Sequence, residues 1–304
     1  MRSIPMPRVV AVVVSYEPDR ERLAALLQAM HPQVSHIVLL DNHSVHHPVD
    51  WITGLMLENV TWVQLETNLG VATAQNRGVE MACAQGADYI LFSDQDSLPA
   101  PDMVARLLDV AELKLSTGCR LAAVGPRYFD AHQEALNPFV RVRGLRVKRF
   151  DCAEDDQVIE VDHLIASGSL IPMSALDAIG PMRDELFIDY VDTEWSLRAW
   201  HLGYRSFGVC GATMQHGLGD RPYRFFGRYV PIHSPLRHYY LFRNAVWLYR
   251  QGWIPLAWKV ATAGRLVQKF VFFSLVPPGR LGQLNLMLRG LMDGLRGRMG
   301  HYVP

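Results

Sequence analysis

The chain has 304 residues, with 30 basic and 30 acidic side chains and a formal charge of zero. That length holds one large α/β domain, or one domain with an appendage, and buries a substantial core. Balanced charge excludes a nucleic-acid binder working through bulk electrostatics, and no uncharged apolar stretch of about 18 residues calls for a spanning helix. The charge is unevenly spread. Six carboxylates fall between Asp151 and Asp162, and after Asp220 the only acidic side chain is Asp293. A basic C-terminal part suits an anionic surface such as a bilayer, or simply solvated helix faces. Cys83, Cys119, Cys152 and Cys210 form no CxxC pair, which argues against a zinc or redox motif. The apolar run at the start is short and lacks a cleavage site. Free thiols without a signal point to the cytoplasm.

Residues 9–14 are a continuous apolar run, β-branched except at Ala11, expected as a strand buried on both faces. Leu23, Leu26, Leu27 and Met30 follow at helical spacing. Residues 36–40 and 60–65 read as the second and third strands, a helix is expected from near Val71, and residues 89–93 read as a fourth strand. Pro101 opens a helix with Met103, Val104, Leu107, Leu108 and Ala111 on one face, before a fifth strand at 121–125. This alternation predicts an α/β fold whose mostly parallel sheet carries helices on both faces, with ligands beyond the carboxyl ends of the strands. Residues 127–161 read as an irregular or short-stranded insertion, and strand character resumes over 161–172. A helix over 193–202 and a strand over 205–209 come next. From Leu241 the pattern changes to long apolar and aromatic helices broken by Pro255 and by Pro277-Pro278.

Polar residues sit at three of the first four strand ends: Ser15-Tyr16, Asp41-Asn42 and Asp94-Gln95-Asp96. Converging polar strand ends form the rim of a site. In extended backbone, Asp94 and Asp96 share a face and suit Mg²⁺ or Mn²⁺ with positions left open for phosphate oxygens; the same residues also suit an Asx turn before Pro99. In TNLGVATAQNRG (67–78), Gly70 gives a turn, Asn68 and Asn76 bring amides toward a nucleotide, and the helix start favours an anion. This is neither a dinucleotide fingerprint nor a P-loop. In FIDYVDTEWSLRAW (187–200), Asp189, Asp192 and Glu194 crowd charge before a helix. They either favour its N-terminus or supply a general base, for which Asp192 is the choice. His216, followed by Gly217 and Gly219 and by Arg221 and Arg224, is either an ordinary polar residue or the completion of a metal site beside groups that clamp a diphosphate. No multi-His or Cys cluster supports zinc.

The order SYEPD, LLDNHS, TNLGVATAQNRG, LFSDQDS, IASGSL, FIDYVDTEWSLRA, QHGLG, HYYLFRN resembles the GT-A-fold family 2 glycosyltransferases, and among them the bacterial rhamnosyltransferases of lipopolysaccharide, O-antigen and rhamnolipid synthesis. The resemblance runs from about Val9 to Asn244. It implies that Asp41 reads the pyrimidine base beside Ser15 and Tyr16, that Asn68, Gly70 and Asn76 line the nucleotide pocket, and that Gly168 lets backbone approach the donor sugar. Asp94 and Asp96 match the family's Asp-x-Asp motif, His216 its metal-binding histidine and Asp192 its catalytic base. Val191 stands where many relatives carry Glu, leaving Asp189 or Glu194 as the second carboxylate. The donor implied is dTDP-β-L-rhamnose, and the acceptor a lipid-linked saccharide or glycolipid.

These readings together give a GT-A catalytic domain at 1–240, with a donor half to about 126 and an acceptor half over 127–240, and a helical basic and aromatic region at 241–304. Trp247, Trp253, Trp258, Phe270, Phe272 and Phe273, interspersed with Arg250, Lys259, Arg265 and Lys269, suit either a bilayer interface or packing on the protein. The expected location is cytoplasmic, peripheral to the inner membrane. A family 2 enzyme for another sugar nucleotide, a nucleotidyltransferase and a non-catalytic membrane-associated scaffold are the competing readings.

Overall fold

The computed structural model describes residues 6–46, 49–130, 135–217, 222–225, 228–231, 234–276 and 279–303. Strands β1 (Val9–Ser15), β2 (His36–Asp41), β3 (Val60–Gln64) and β4 (Tyr89–Asp94) alternate with helices α1 (Arg20–Met30), α2 (Val49–Thr53) and α3 (Gly70–Ala84). Next come β5 (Ser97–Pro99), α4 (Met103–Ser116), β6 (Leu121–Asp130), β7 (Ala135–Leu136), β8 (Phe139–Arg143), β9 (Arg146–Phe150) and β10 (Val158–Val161). Then follow β11 (Leu170–Pro172), α5 (Met173–Ile179), α6 (Val191–His201), β12 (Arg205–His216), β13 (Pro222–Phe225), β14 (Arg228–Pro231), α7 (Pro235–Arg250), α8 (Leu256–Leu275) and α9 (Arg280–Arg296).

The main sheet runs β10-β12-β6-β11-β4-β1-β2-β3, with β5 added to β12 and β7 to β6. β1 pairs in parallel with β2 and β4, and β2 with β3, while β11 lies antiparallel to both β4 and β6. β1 shows why such a strand is apolar up to its last residue, Ser15. Val9, Ala11 and Val13 pack with Leu23, Leu26 and Leu27 of α1 and Leu107 of α4, whereas Val10 and Val12 face Ala72 and Ala82 of α3. Alternate side chains thus reach two separate cores, and a polar residue in either would be buried. α1 starts where Asp19 accepts the Arg22 N–H at 3.0 Å.

Several boundaries differ from those expected. The strand expected to end at Val209 continues to His216 as β12, with an irregularity between Val209 and Thr213 where it meets β6. The 127–161 stretch holds the second half of β6 and four further strands. α7 starts at Pro235 because Ser234 accepts the Arg237 N–H and proline suits a first helical turn. Residues 240 and 241 therefore lie within one helix, and 126 and 127 within β6. The expectation of four free thiols is corrected: Cys152 and Cys210 form a disulfide, β10 lying beside β12. Cys83 and Cys119 are free. Among the described residues no helix is long and apolar enough to cross a membrane.

The C-terminal aromatics face inward. Trp258 and Phe273 are buried, and Trp247, Trp253, Phe270 and Phe272 pack against small clusters under α7 and α8. α8 exposes the aliphatic Leu256, Val260, Val267, Val271 and Leu275 together with Arg265, Gln268 and Lys269.

Candidate active site

Strand register assembles the site. Ser15 lies beside Asp41, and Val14 beside Asp94, so the polar ends of β1, β2 and β4 share one edge. Gln95 joins two of them, accepting the Tyr16 N–H at 2.7 Å and donating to the Tyr16 carbonyl at 3.1 Å. Asp41 is fully buried. Its oxygens accept the Ser44 hydroxyl at 2.5 Å, the Ser44 N–H at 3.0 Å and the Ser15 hydroxyl at 3.3 Å.

After β4 the chain turns, and β5 returns along β12, with Ser97 opposite His216. Carboxylate oxygens of Asp94 and Asp96 and an imidazole nitrogen of His216 lie within 4.8 Å of one another. Two carboxylates and one imidazole are a donor set suited to Mg²⁺ or Mn²⁺. Hydroxyls brace the trio. The Asp94 N–H donates to Ser167 Oγ at 3.0 Å, Ser167 Oγ lies 2.6 Å from Ser97 Oγ, and Ser97 Oγ lies 2.8 Å from His216 Nδ1. Burial pushes the Asp94 carboxyl above the usual carboxylate range. His216 opposes that rise, while the charges of Asp96 and Asp192 add to it. The charge of Asp192, which comes from α6, is thus among those felt by Asp94.

The segment that delivers Asp192 is strained and held. Phe187, Asp189 and Tyr190 have φ of 64°, 63° and 63°, a conformation costly for side-chain-bearing residues. Two fully buried side chains of α7 restrain it. Arg243 donates to the carbonyls of Glu185 and Leu186 at 3.0 Å each. Asn244 donates to those of Leu186, Ile188 and Asp189 at 2.9, 2.8 and 2.8 Å. Both lie in the HYYLFRN motif, and nothing local in the sequence shows what they hold.

The three acids of this segment separate. Asp189 pairs with Arg237 of α7 at 3.3 Å, and burial raises its carboxyl against the pull of Arg237 and Lys269. Asp192 accepts the Thr193 N–H at 2.6 Å. Glu194 is fully buried, bound at 3.0 Å through each oxygen by Arg198 and at 3.5 Å by Arg183. It braces α6 rather than lining the cleft.

Four residues expected at the nucleotide or donor sugar, Asn68, Gly70, Asn76 and Gly168, also have partners within the protein. Both ends of the Asn76 amide are engaged by the loop after α5: Nδ2 donates to Met182 and Asp184 at 2.8 and 2.7 Å, and Oδ1 accepts the Met182 N–H at 2.8 Å. Gly70, at φ 82°, is demanded by Phe187, which a Cβ would meet at 2.6 Å. Gly168, at φ 81°, is likewise demanded by Pro126, which a Cβ would meet at 2.5 Å. Asn68 Oδ1 accepts from Asn42 Nδ2 and the Gly70 N–H at 3.0 Å each, shaping the turn into α3. Arg221 and the side chain of Arg224 lie outside the described residues.

Residues 11–170 match the model of the Glycosyl transferase family 2. The dTDP-rhamnosyl transferase RfbF of Shigella flexneri is 30% identical over 300 residues, 96% of this chain and 97% of that protein. The galactofuranosyltransferase GlfT1 of Mycolicibacterium smegmatis is 28% identical over 80% of this chain and 83% of its own. Among solved structures, GalNAc-T7 with UDP, GalNAc and Mn²⁺ superposes with a TM-score of 0.63 at 15% identity, covering 97% of this chain and 57% of that one. S. aureus TarS 1-349 gives 0.53 at 15% identity, covering 96% and 82%. These superpositions establish a GT-A-type fold. With a family match over more than half its length and a relative 30% identical along nearly all of it, the chain belongs to glycosyl transferase family 2.

Proposed function

We propose that the chain is an inverting rhamnosyltransferase that moves L-rhamnose from dTDP-β-L-rhamnose to a hydroxyl of a lipid-linked saccharide or glycolipid of the lipopolysaccharide, O-antigen or rhamnolipid kind. The observation that carries the chemistry is the meeting of Asp94, Asp96 and His216 within 4.8 Å. The likeness to RfbF supports the donor sugar.

Asp94, Asp96 and His216 would hold Mg²⁺ or Mn²⁺, which when bound supplies positive charge to the diphosphate. Asp192 takes the proton of the acceptor hydroxyl as its oxygen bonds to the anomeric carbon. The bond from that carbon to the diphosphate oxygen breaks on the opposite face, and dTDP leaves with the electron pair, giving an α-L-rhamnoside. Asp189, set by Arg237 beside Asp192, is the second carboxylate, in place of the Glu replaced by Val191. Asp41 with Ser15 and Tyr16 faces the base, and Asn68 and Gly70 form the turn beneath the nucleotide. We assign residues 1–240 to catalysis, with donor and acceptor halves meeting near 126, and 241–304 to attachment. The exposed aliphatic row of α8 supports peripheral binding at the inner membrane.

Calorimetry with dTDP-rhamnose, UDP-glucose, UDP-galactose and GDP-mannose, in Mg²⁺ or Mn²⁺, tests the donor. Tightest binding of dTDP-rhamnose is expected, and tighter binding of another donor overturns the sugar. Turnover should release a nucleoside diphosphate. Pyrophosphate release would mark a nucleotidyltransferase, and no turnover with any sugar nucleotide a scaffold.

A further inference from the structure

Backbone pairing between β1 and β4 ends at Val14 and Asp94, and the chain then turns at residues 95 and 96. Ser15, one residue further along β1, gives its carbonyl to the Asn42 N–H at 2.7 Å, on the β2 side. Tyr16 follows, with no strand left beside it on the β4 side. The Gln95 amide stands in for that strand. Its Oε1 accepts the Tyr16 N–H at 2.7 Å and its Nε2 donates to the Tyr16 carbonyl at 3.1 Å. A glutamine carries an acceptor and a donor at one end, so one side chain satisfies both groups of the same residue. Tyr16 is half exposed, so water competes for these groups and the bonds contribute little stability. What they fix is position.

The two ends of this bridge belong to different parts of the site. On the Tyr16 side, Glu17 comes next at φ 45°. Its N–H donates to Ser44 Oγ at 2.8 Å, and its Oε1 accepts the Val45 N–H at 2.7 Å. Ser44 in turn binds Asp41, so residues 15–17 are tied to the loop that forms the base pocket. On the other side, Gln95 lies between Asp94 and Asp96. The Asp94 N–H is held by Ser167, and the Asp96 carbonyl accepts the N–H of Gly217, next to His216, at 3.4 Å. One side chain thus bonds the segment beside the base pocket to the turn that carries two of the three metal ligands.

We propose that Gln95 is a positioning residue that couples the two pockets, so that a nucleobase held by residues 15–17 and 41–44 steadies the 94–96 turn in its metal-binding geometry. A matching base then tightens the metal, and the metal tightens the base by the same factor. A glutamine that merely closed a strand end would add stability and leave the two affinities independent. The inference rests on the readings of the base pocket and of the metal trio given above.

The test uses the full chain, Mn²⁺ and thymidine, which has no phosphate to reach the ion. Electron paramagnetic resonance reads Mn²⁺ affinity with and without saturating thymidine, and calorimetry reads thymidine affinity with and without Mn²⁺. In the wild type each should tighten the other by about fivefold. Gln95→Met keeps the length of the side chain and loses the amide, and its ratio should fall below about twofold. Gln33→Met is the control for bracing alone, since Gln33 binds the carbonyls of Ala29 and Ala100 at 2.9 and 3.0 Å and the Val104 N–H at 3.1 Å. It should lower the melting midpoint and keep the wild-type ratio. Should Gln95→Met fail to fold, Gln95→Glu, which keeps the acceptor and loses the donor, carries the same comparison. Thymidine that binds the wild type without changing Mn²⁺ affinity overturns the proposal alone. So does a Gln95 variant that keeps the full ratio, or a Gln33→Met protein that loses it equally. Thymidine that fails to bind the wild type sinks the base-pocket reading, and Mn²⁺ that fails to bind sinks the metal reading, each taking the proposal with it.

Discussion

Glu194→Gln separates bracing from chemistry in the acidic segment. Glu194 is fully buried and receives Nε and Nη2 of Arg198 at 3.0 Å each. Arg198 also donates to the carbonyls of Ile179 and Pro181 at 2.6 and 2.8 Å, so its guanidinium joins the end of α5 to α6. Removing one member of a buried pair costs roughly 3–5 kcal/mol, because the other charge stays buried. Glutamine keeps one acceptor oxygen and Arg198 keeps some solvent exposure, which puts the loss near the lower end, about 3 kcal/mol. In a chain of this size that lowers the unfolding midpoint by roughly 6–12 °C. Circular dichroism melts read the midpoint, and transfer assays well below it read the rate per folded molecule. The midpoint should fall while the rate stays within about threefold. An unchanged midpoint with a rate loss of about 100-fold would refute the reasoning and give Glu194 a chemical role.

His238 and Ser97 carry two further expectations. Burial pushes the fully enclosed His238 imidazole down to about 4 from 6.5, with Lys269 and Arg237 adding to it. Between these values the unfolded chain binds a proton that the native one refuses. Stability present above pH 6.5 is therefore lost as the pH falls toward 4, on the order of 3 kcal/mol in full. Urea unfolding at stepped pH should show this slope in the wild type and its removal in His238→Phe; parallel profiles would contradict it. Ser97→Ala, which removes the hydroxyl 2.8 Å from His216 Nδ1, should weaken Mn²⁺ binding on the order of tenfold by electron paramagnetic resonance, and unchanged affinity would remove Ser97 from the metal's support.

The donor side of the fold was legible because its signals are local. β1 is apolar from Val9 to Val14 since both of its faces are buried, and the acids at the end of β4 follow its apolar run directly. Where a role depends on a distant partner, the sequence is silent. Asp189, Asp192 and Glu194 look alike in a row. Partners on α7 and α6 assign them, Arg237 to Asp189 and Arg198 to Glu194. The second of these was readable, since Arg198 stands four residues after Glu194 on one helix. Arg243 and Asn244 hold carbonyls more than fifty residues away, and Asn76 holds a loop more than a hundred away, so neither restraint leaves a local trace. The aromatics of 241–304 suited either a bilayer interface or packing on the protein, and Trp258 and Phe273 pack inward while aliphatic and basic side chains of α8 stay outside.

The most direct measurement compares wild-type and Asp192→Asn proteins with dTDP-rhamnose, Mg²⁺ or Mn²⁺, and a lipid-linked saccharide acceptor, reading donor affinity by calorimetry and transfer by product formation. Donor affinity within about threefold, with transfer slower by roughly 10²–10⁴, is the result expected of a lost general base beside an intact metal and nucleotide site. Wild-type transfer rates in Asp192→Asn would contradict the assignment.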